Sequence, residues 1–132
     1  MPDPDVPAPT PPAAPGDAGR DGTGVSDVYE MSAEELAARR RDARPPVVLD
    51  VREPWEHEVA RVEGARLVPM RTLGAALSTL DPADEYVVLC HHGVRSRAAA
   101  EFLRERGLSR VANLTGGIDA WSQRVDPGVP RY

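Results

Sequence analysis

Tyr86-Val87-Val88-Leu89-Cys90-His91-His92-Gly93-Val94-Arg95-Ser96 decides how the rest of the sequence is read. Four apolar residues lead straight into one thiol, and a helical pattern from Ser96 to Arg106 leads straight out. A strand, a tight loop and a helix in that order build an anion site from backbone. The loop N–H groups converge on one point, and the following helix adds its positive end there. Gly93 gives the loop room to turn, and Arg95 brings a guanidinium to it. Such a cradle stabilises a sulfur-borne negative charge, so Cys90 is expected to be a nucleophile. The plain alternative is a small buried hydrophobe, the usual fate of a free cysteine. Two His, a Gly and an Arg directly after the thiol argue against it.

The chain has 132 residues, enough for one domain and little more. Cys90 is its only cysteine, which excludes an intrachain disulfide and a Cys-rich zinc site. A lone thiol fits a reducing cytoplasm, and Met1-Pro2-Asp3 does not open a signal peptide. No apolar run is long enough to span a bilayer, so no membrane partner is expected. A formal net charge of −5 argues against nucleic acid. All 16 basic residues are Arg, so Schiff-base and P-loop lysine mechanisms are excluded.

Around the central stretch the chain alternates strands and helices. Residues 1–25 carry seven prolines in the first fifteen positions and are expected to be a disordered tail. Residues 26–125 are expected to form the domain, and 126–132 a coil tail. Val28–Met31 reads as a short edge strand, and Ser32-Ala33-Glu34-Glu35 as a capping box opening a helix. Val47–Leu49 reads as a strand buried on both faces. It runs into Asp50-Val51-Arg52-Glu53 at its carboxyl end, where open α/β sheets bind ligands. Pro54–Glu58 reads as a short helix with His57 exposed among glutamates. Ala65–Met70 reads as a strand, and Thr72–Leu80 as a helix with a Leu73, Ala76, Leu77, Leu80 stripe. Val111–Leu114 reads as a last strand, then Gly116-Gly117 turns the chain into a closing helix. The pattern implies four or five mostly parallel strands covered on both faces.

Asp50-Val51-Arg52-Glu53, Gly64-Ala65, Cys90-x-x-Gly93-Val94-Arg95-Ser96 and Gly116-Gly117-Ile118-x-x-Trp121, in that order, resemble the single-domain rhodanese sulfurtransferases. The resemblance spans roughly residues 25–125. It implies a rhodanese-like three-layer α/β/α fold with an open sheet of about five parallel strands. It implies catalysis by Cys90, which would take a sulfane sulfur from a small donor such as thiosulfate and become a persulfide. The sulfur would then pass to a thiol or cyanide acceptor, a protein thiol included, with no metal or organic cofactor. The substrate would be held by His91, His92, Gly93, Val94, Arg95 and Ser96, with Arg95 gripping an anionic donor through paired N–H bonds. Asp50 and Arg52 would support the loop from the next strand end.

Two positions depart from the family. His91 stands where an Arg is frequent, which removes one fixed positive charge; its ring either tunes the loop near neutral pH or simply faces outward. His92 is expected to face outward. Ala60-Arg61-Val62-Glu63-Gly64-Ala65 lacks the family's histidine in this segment. Two other readings stand beside sulfur transfer. One is a binding or regulatory module that keeps only the fold. The other is a Cys-based phosphatase, for which the C-x4-R spacing of Cys90 and Arg95 is one residue short of C-x5-R.

Overall fold

The structure is a computed structural model and describes residues 28–132. The proline-rich tail expected over residues 1–25 lies outside the described residues. The elements are β1 (Tyr29–Met31), α1 (Ala33–Arg39), β2 (Val47–Asp50), α2 (Pro54–Val59), β3 (Arg66–Leu67), α3 (Leu73–Ala76), β4 (Tyr86–Leu89), α4 (Val94–Glu105), β5 (Val111–Leu114) and α5 (Gly117–Arg124). The strands form one open sheet in the order β1-β5-β4-β2-β3, and every pairing is parallel. The rhodanese-like three-layer α/β/α arrangement expected from the sequence is the one observed.

Alternation along β4 explains the layers. Val88 and Cys90 pack on one face with Leu73 of α3 and Ala99, Ala100 and Leu103 of α4. Val87 and Leu89 pack on the other with Leu36 of α1 and Ile118 and Trp121 of α5. Successive strand side chains point to opposite faces, so a strand between two helical layers is apolar throughout. β4 and β5 are buried at every position. Each fully buried Leu or Val contributes about 2 kcal/mol of burial free energy.

Several elements differ from expectation for local reasons. The Ser32 hydroxyl accepts the Glu35 amide at 3.0 Å, but the Glu35 carboxylate accepts Tyr29 Oη at 2.7 Å instead of completing the capping box. The strand over Ala65–Met70 shrinks to Arg66–Leu67, ahead of Pro69, which has no N–H for a ladder. Thr72–Leu80 becomes a single α-turn between two 3₁₀ turns, Met70–Thr72 and Leu77–Thr79. Gly74, Ser78 and Thr79 are weak helix formers in that stretch. No helix among the described residues is long and apolar enough to cross a membrane.

Residues 126–132 form no helix or strand, yet they are held to the body. Val129 is buried, its carbonyl accepts the Ser122 hydroxyl, and Arg131 pairs with Asp119 at 3.0 Å. This brings Tyr132 over the carboxyl edge of the sheet.

Candidate active site

Cys90 follows the last residue of β4, at the carboxyl edge of the central strand. The residue is 1% exposed, so the sulfur is almost wholly enclosed. Gly93 takes φ +100° and becomes the N-cap of α4, which therefore begins at Val94, two residues earlier than the apolar pattern suggests. That turn aims two main-chain donors at one atom. The Gly93 amide lies 3.1 Å from Cys90 Sγ, and the Ser96 amide, in the first turn of α4, lies 3.3 Å from it. Ser96 Oγ lies 3.3 Å from the same sulfur. The helix end adds its partial positive charge at this point.

Asn113 holds the third donor in place. It is a buried polar residue in β5, and its Nδ2 donates to Gly93 O and to both Glu30 carboxylate oxygens, each at 3.1 Å. This fixes the amide orientation, so Oδ1 faces Ser96 Oγ at 2.5 Å. The hydroxyl has one proton and two lone pairs. It can give the proton to Asn113 and accept from a thiol, or turn it toward a thiolate.

The loop is closed from above by α5. Ile118 N donates to Cys90 O at 2.8 Å and Asp119 N to His91 O at 3.1 Å. Gly117, at φ +63°, makes this approach possible: a Cβ there would lie 2.5 Å from Cys90 O and closer still to His91 O.

The opposite wall consists of charged side chains. Asp50 and Arg52 are fully buried and face each other through Nε–Oδ1 at 2.8 Å and Nη2–Oδ2 at 2.7 Å. Arg52 also donates to the carbonyls of Glu56 and Ala60 and to Tyr132 Oη. His57 Nδ1 sits 2.8 Å from Asp50 Oδ2, so His57 is a member of this network and not the free surface residue expected.

Arg95 does not stand open toward a donor as expected. Its fork lies on Glu56, with Nη1–Oε2 and Nη2–Oε1 both 2.9 Å. Tyr132 Oη donates to Glu56 Oε1 at 2.8 Å, and the Glu53 amide to Oε2 at 2.9 Å. The Arg95 contact, with the other donors, holds the Glu56 carboxyl down at about 2. Glu56 in turn keeps Arg95 more firmly protonated than an ordinary arginine.

The two histidines separate. The His91 ring is stacked between Tyr132, at 4.0 Å and 7°, and His92, at 3.9 Å and 23°. Burial, then the neighbouring His92, lowers its pKa, and its Nε2 is buried with no hydrogen-bond partner. His92 is exposed, as is the Val94 side chain at 79%. Among the described residues His91, His92 and Asp119 bring ligand atoms within 4.8 Å of one another. Near-parallel imidazoles do not aim their in-plane lone pairs at a common point, and the Asp119 oxygens already accept from Arg131 and Gln123.

Sequence reasoning missed Glu56, His57, Asn113 and Tyr132. A polar residue in the apolar strand Val111–Leu114 was the available signal for Asn113, and the Glu53-Pro54-x-Glu56 helix start for Glu56. No local signal links Glu56 to Arg95 or to Tyr132.

The site is thus a single enclosed thiol with three donors converging on its sulfur, at the carboxyl edge of an open parallel sheet. A rhodanese-like domain model matches residues 32–124, and the chain belongs to the rhodanese-like family. It is 38% identical over 115 residues to the rhodanese-like/PpiC domain-containing protein 12, chloroplastic, of Arabidopsis thaliana, covering 80% of this chain but only 38% of that one. It is 32% identical over 102 residues to a sulfurtransferase of Allochromatium vinosum, covering 77% of this chain and 95% of that one. The crystal structure of a rhodanese-like domain protein from Staphylococcus aureus superposes with a TM-score of 0.70 at 28% identity, over 80% of this chain and 99% of that one.

Proposed function

We propose that this protein is a sulfurtransferase that moves a sulfane sulfur through a persulfide on Cys90. The observation that carries the reading is the convergence of the Gly93 amide, the Ser96 amide and the Ser96 hydroxyl on one sulfur. The Cys90 thiolate attacks the outer sulfur of a donor such as thiosulfate. The Sγ–S bond forms, the donor's S–S bond breaks, and the electron pair leaves with sulfite. The new outer sulfur carries the negative charge that the thiolate brought. Pre-set amides stabilise it without reorganising, as an oxyanion hole does. A thiol or cyanide acceptor then attacks that outer sulfur and the thiolate is regenerated; a protein thiol fits the same step.

His91, His92, Gly93, Val94, Arg95 and Ser96 shape this loop, and Asp50 and Arg52 hold it from the side. No step needs a metal or organic cofactor, a nucleic acid or a membrane, and the single thiol suits a reducing cytoplasm. The relative from Allochromatium vinosum supports the activity class at this level of identity. The test is mass spectrometry of the full chain after treatment with sulfane donors. A gain of one sulfur on Cys90, absent in Cys90→Ser, is the expected result. No adduct from thiosulfate, a thiosulfonate or a persulfide overturns the reading.

A further inference from the structure

The arginines on or beside the Cys90 loop each face a carboxylate. Arg95 is on Glu56, Arg52 on Asp50, Arg97 on Glu30 and Arg131 on Asp119. The chain contains no lysine, and its formal net charge is −5. His91, stacked under Tyr132, is favoured in its neutral form by burial. Among the described residues the cradle therefore has donors for one sulfur-borne charge and no uncommitted arginine for a second. Glu56 is itself fixed, because Tyr132 Oη and the Glu53 amide hold its two oxygens against Arg95. Thiosulfate carries two charges, one of them on a sulfonate group that would enter beside this neutralised pair. An anion moved out of water without a partner is strongly disfavoured.

Resting on the sulfur-transfer reading above, we propose that the site selects sulfane donors with a single negative charge, thiosulfonates and persulfides, over dianionic thiosulfate. The Glu56–Arg95 pair, closed by Tyr132, is the specificity determinant. Methanethiosulfonate makes the step explicit. The Cys90 thiolate attacks its terminal sulfur, the Sγ–S bond forms, the S–S bond breaks, and the electron pair leaves on methanesulfinate. One negative charge stays on the new persulfide and one departs, matching the two that entered. A persulfide anion R–S–S⁻ reacts likewise: the Sγ–S bond forms to its outer sulfur, the S–S bond breaks, and the electron pair leaves on the thiolate R–S⁻.

Methanethiosulfonate and thiosulfate form a matched pair that differs by one charge. The experiment measures kcat/KM for both, and for 2-hydroxyethyl persulfide, on the full chain. The monoanionic donors are expected to exceed thiosulfate by about tenfold or more. Glu56→Gln leaves the Arg95 charge uncompensated, so thiosulfate should gain on methanethiosulfonate and the ratio should fall toward one. A wild-type preference for thiosulfate, or a ratio that Glu56→Gln leaves unchanged, overturns the proposal. If Glu56→Gln does not fold, the salt dependence of the wild type decides. Without a free cation, kcat/KM for thiosulfate stays flat or rises between about 0.02 and 0.2 M salt, as repulsion is screened. A severalfold fall signals an available cation and overturns the proposal. Persulfide formation from none of the three donors defeats the transfer reading itself, and this inference with it.

Discussion

On the α4 side of Cys90, two of the three groups aimed at the sulfur are main-chain amides, placed by Gly93 at φ +100° and by the first turn of a twelve-residue helix. On the α2 side, the wall consists of side-chain charges: Asp50, Arg52, Glu56, His57 and Arg95, with Tyr132 across them. The first side depends on chain path. It is expected to fail when that path is blocked. The second depends on charge balance. Asp50, Arg52 and Glu56 are buried while His57, Arg95 and Tyr132 are partly exposed, and removing a buried member leaves another without its partner where water barely reaches. The donors on the sulfur and the charged wall beside it are thus held by separate means.

Asp50→Asn tests the charged wall most severely. Arg52 is fully buried and would keep its charge against a neutral amide. A loss of about 3 kcal/mol or more is expected in urea unfolding at pH 7. A loss below about 1 kcal/mol would mean that water reaches this pair after all and that burial does not decide its worth.

Gly117→Ala tests the backbone side. Its methyl group would press on the carbonyls of Cys90 and His91, which are also bonded to the start of α5. The expected cost is about 2–4 kcal/mol, from a left-handed alanine and an overpacked contact together. Persulfide formation should fall with it, because the shifted carbonyls belong to the loop that aims the amides. A variant with wild-type stability and wild-type rate would remove α5 from the account of the cradle.

Tyr132→Phe is the mildest probe and sharpens the contrast. It removes one donor from Glu56 and one acceptor from Arg52, at about 1 kcal/mol by thermal unfolding at pH 7. It also has a pH signature. The Glu56 carboxyl is lowered from 4.5 to about 2 by Arg95 first, and Tyr132 adds to this. A lowered carboxyl contributes stability that is present above its ordinary value and is lost as pH falls toward its folded value. Wild-type stability should therefore decline from about pH 4.5 down to about 2 as this group takes up a proton. The Phe variant should decline less steeply over that window. Superimposable profiles would show that Tyr132 does not help to keep Glu56 ionised.

The same division decided what the sequence could reveal. β2, β4 and β5 were legible because a strand between two helical layers is an unbroken apolar run. The cradle was legible because Cys90, Gly93 and Ser96 lie within seven consecutive positions, so local turn chemistry alone places them. The α2 wall was not. Arg95 and Glu56 are 39 positions apart, and Tyr132 is 76 from Glu56. Nothing in either neighbourhood announces the other. The glutamates beside His57 in the sequence predict a solvated ring, yet the partner that matters, Asp50, sits seven positions earlier at the end of a strand. Ala65–Met70 and Thr72–Leu80 failed for a different reason. Their apolar spacing was real, but Pro69 and the run of weak helix formers broke the geometry it implied.

A sulfur atom this deeply enclosed has a kinetic corollary. Were Cys90 to carry sulfur as proposed, donor and acceptor would compete for the same small space beside a residue that is 1% exposed. In a transferase built this way the first product must depart before the second substrate docks. The intermediate must then wait, loaded and shielded, for whatever nucleophile arrives. The enclosure that orients the thiol would also act as a timer, separating the two halves of the exchange and guarding the carried atom from water between them.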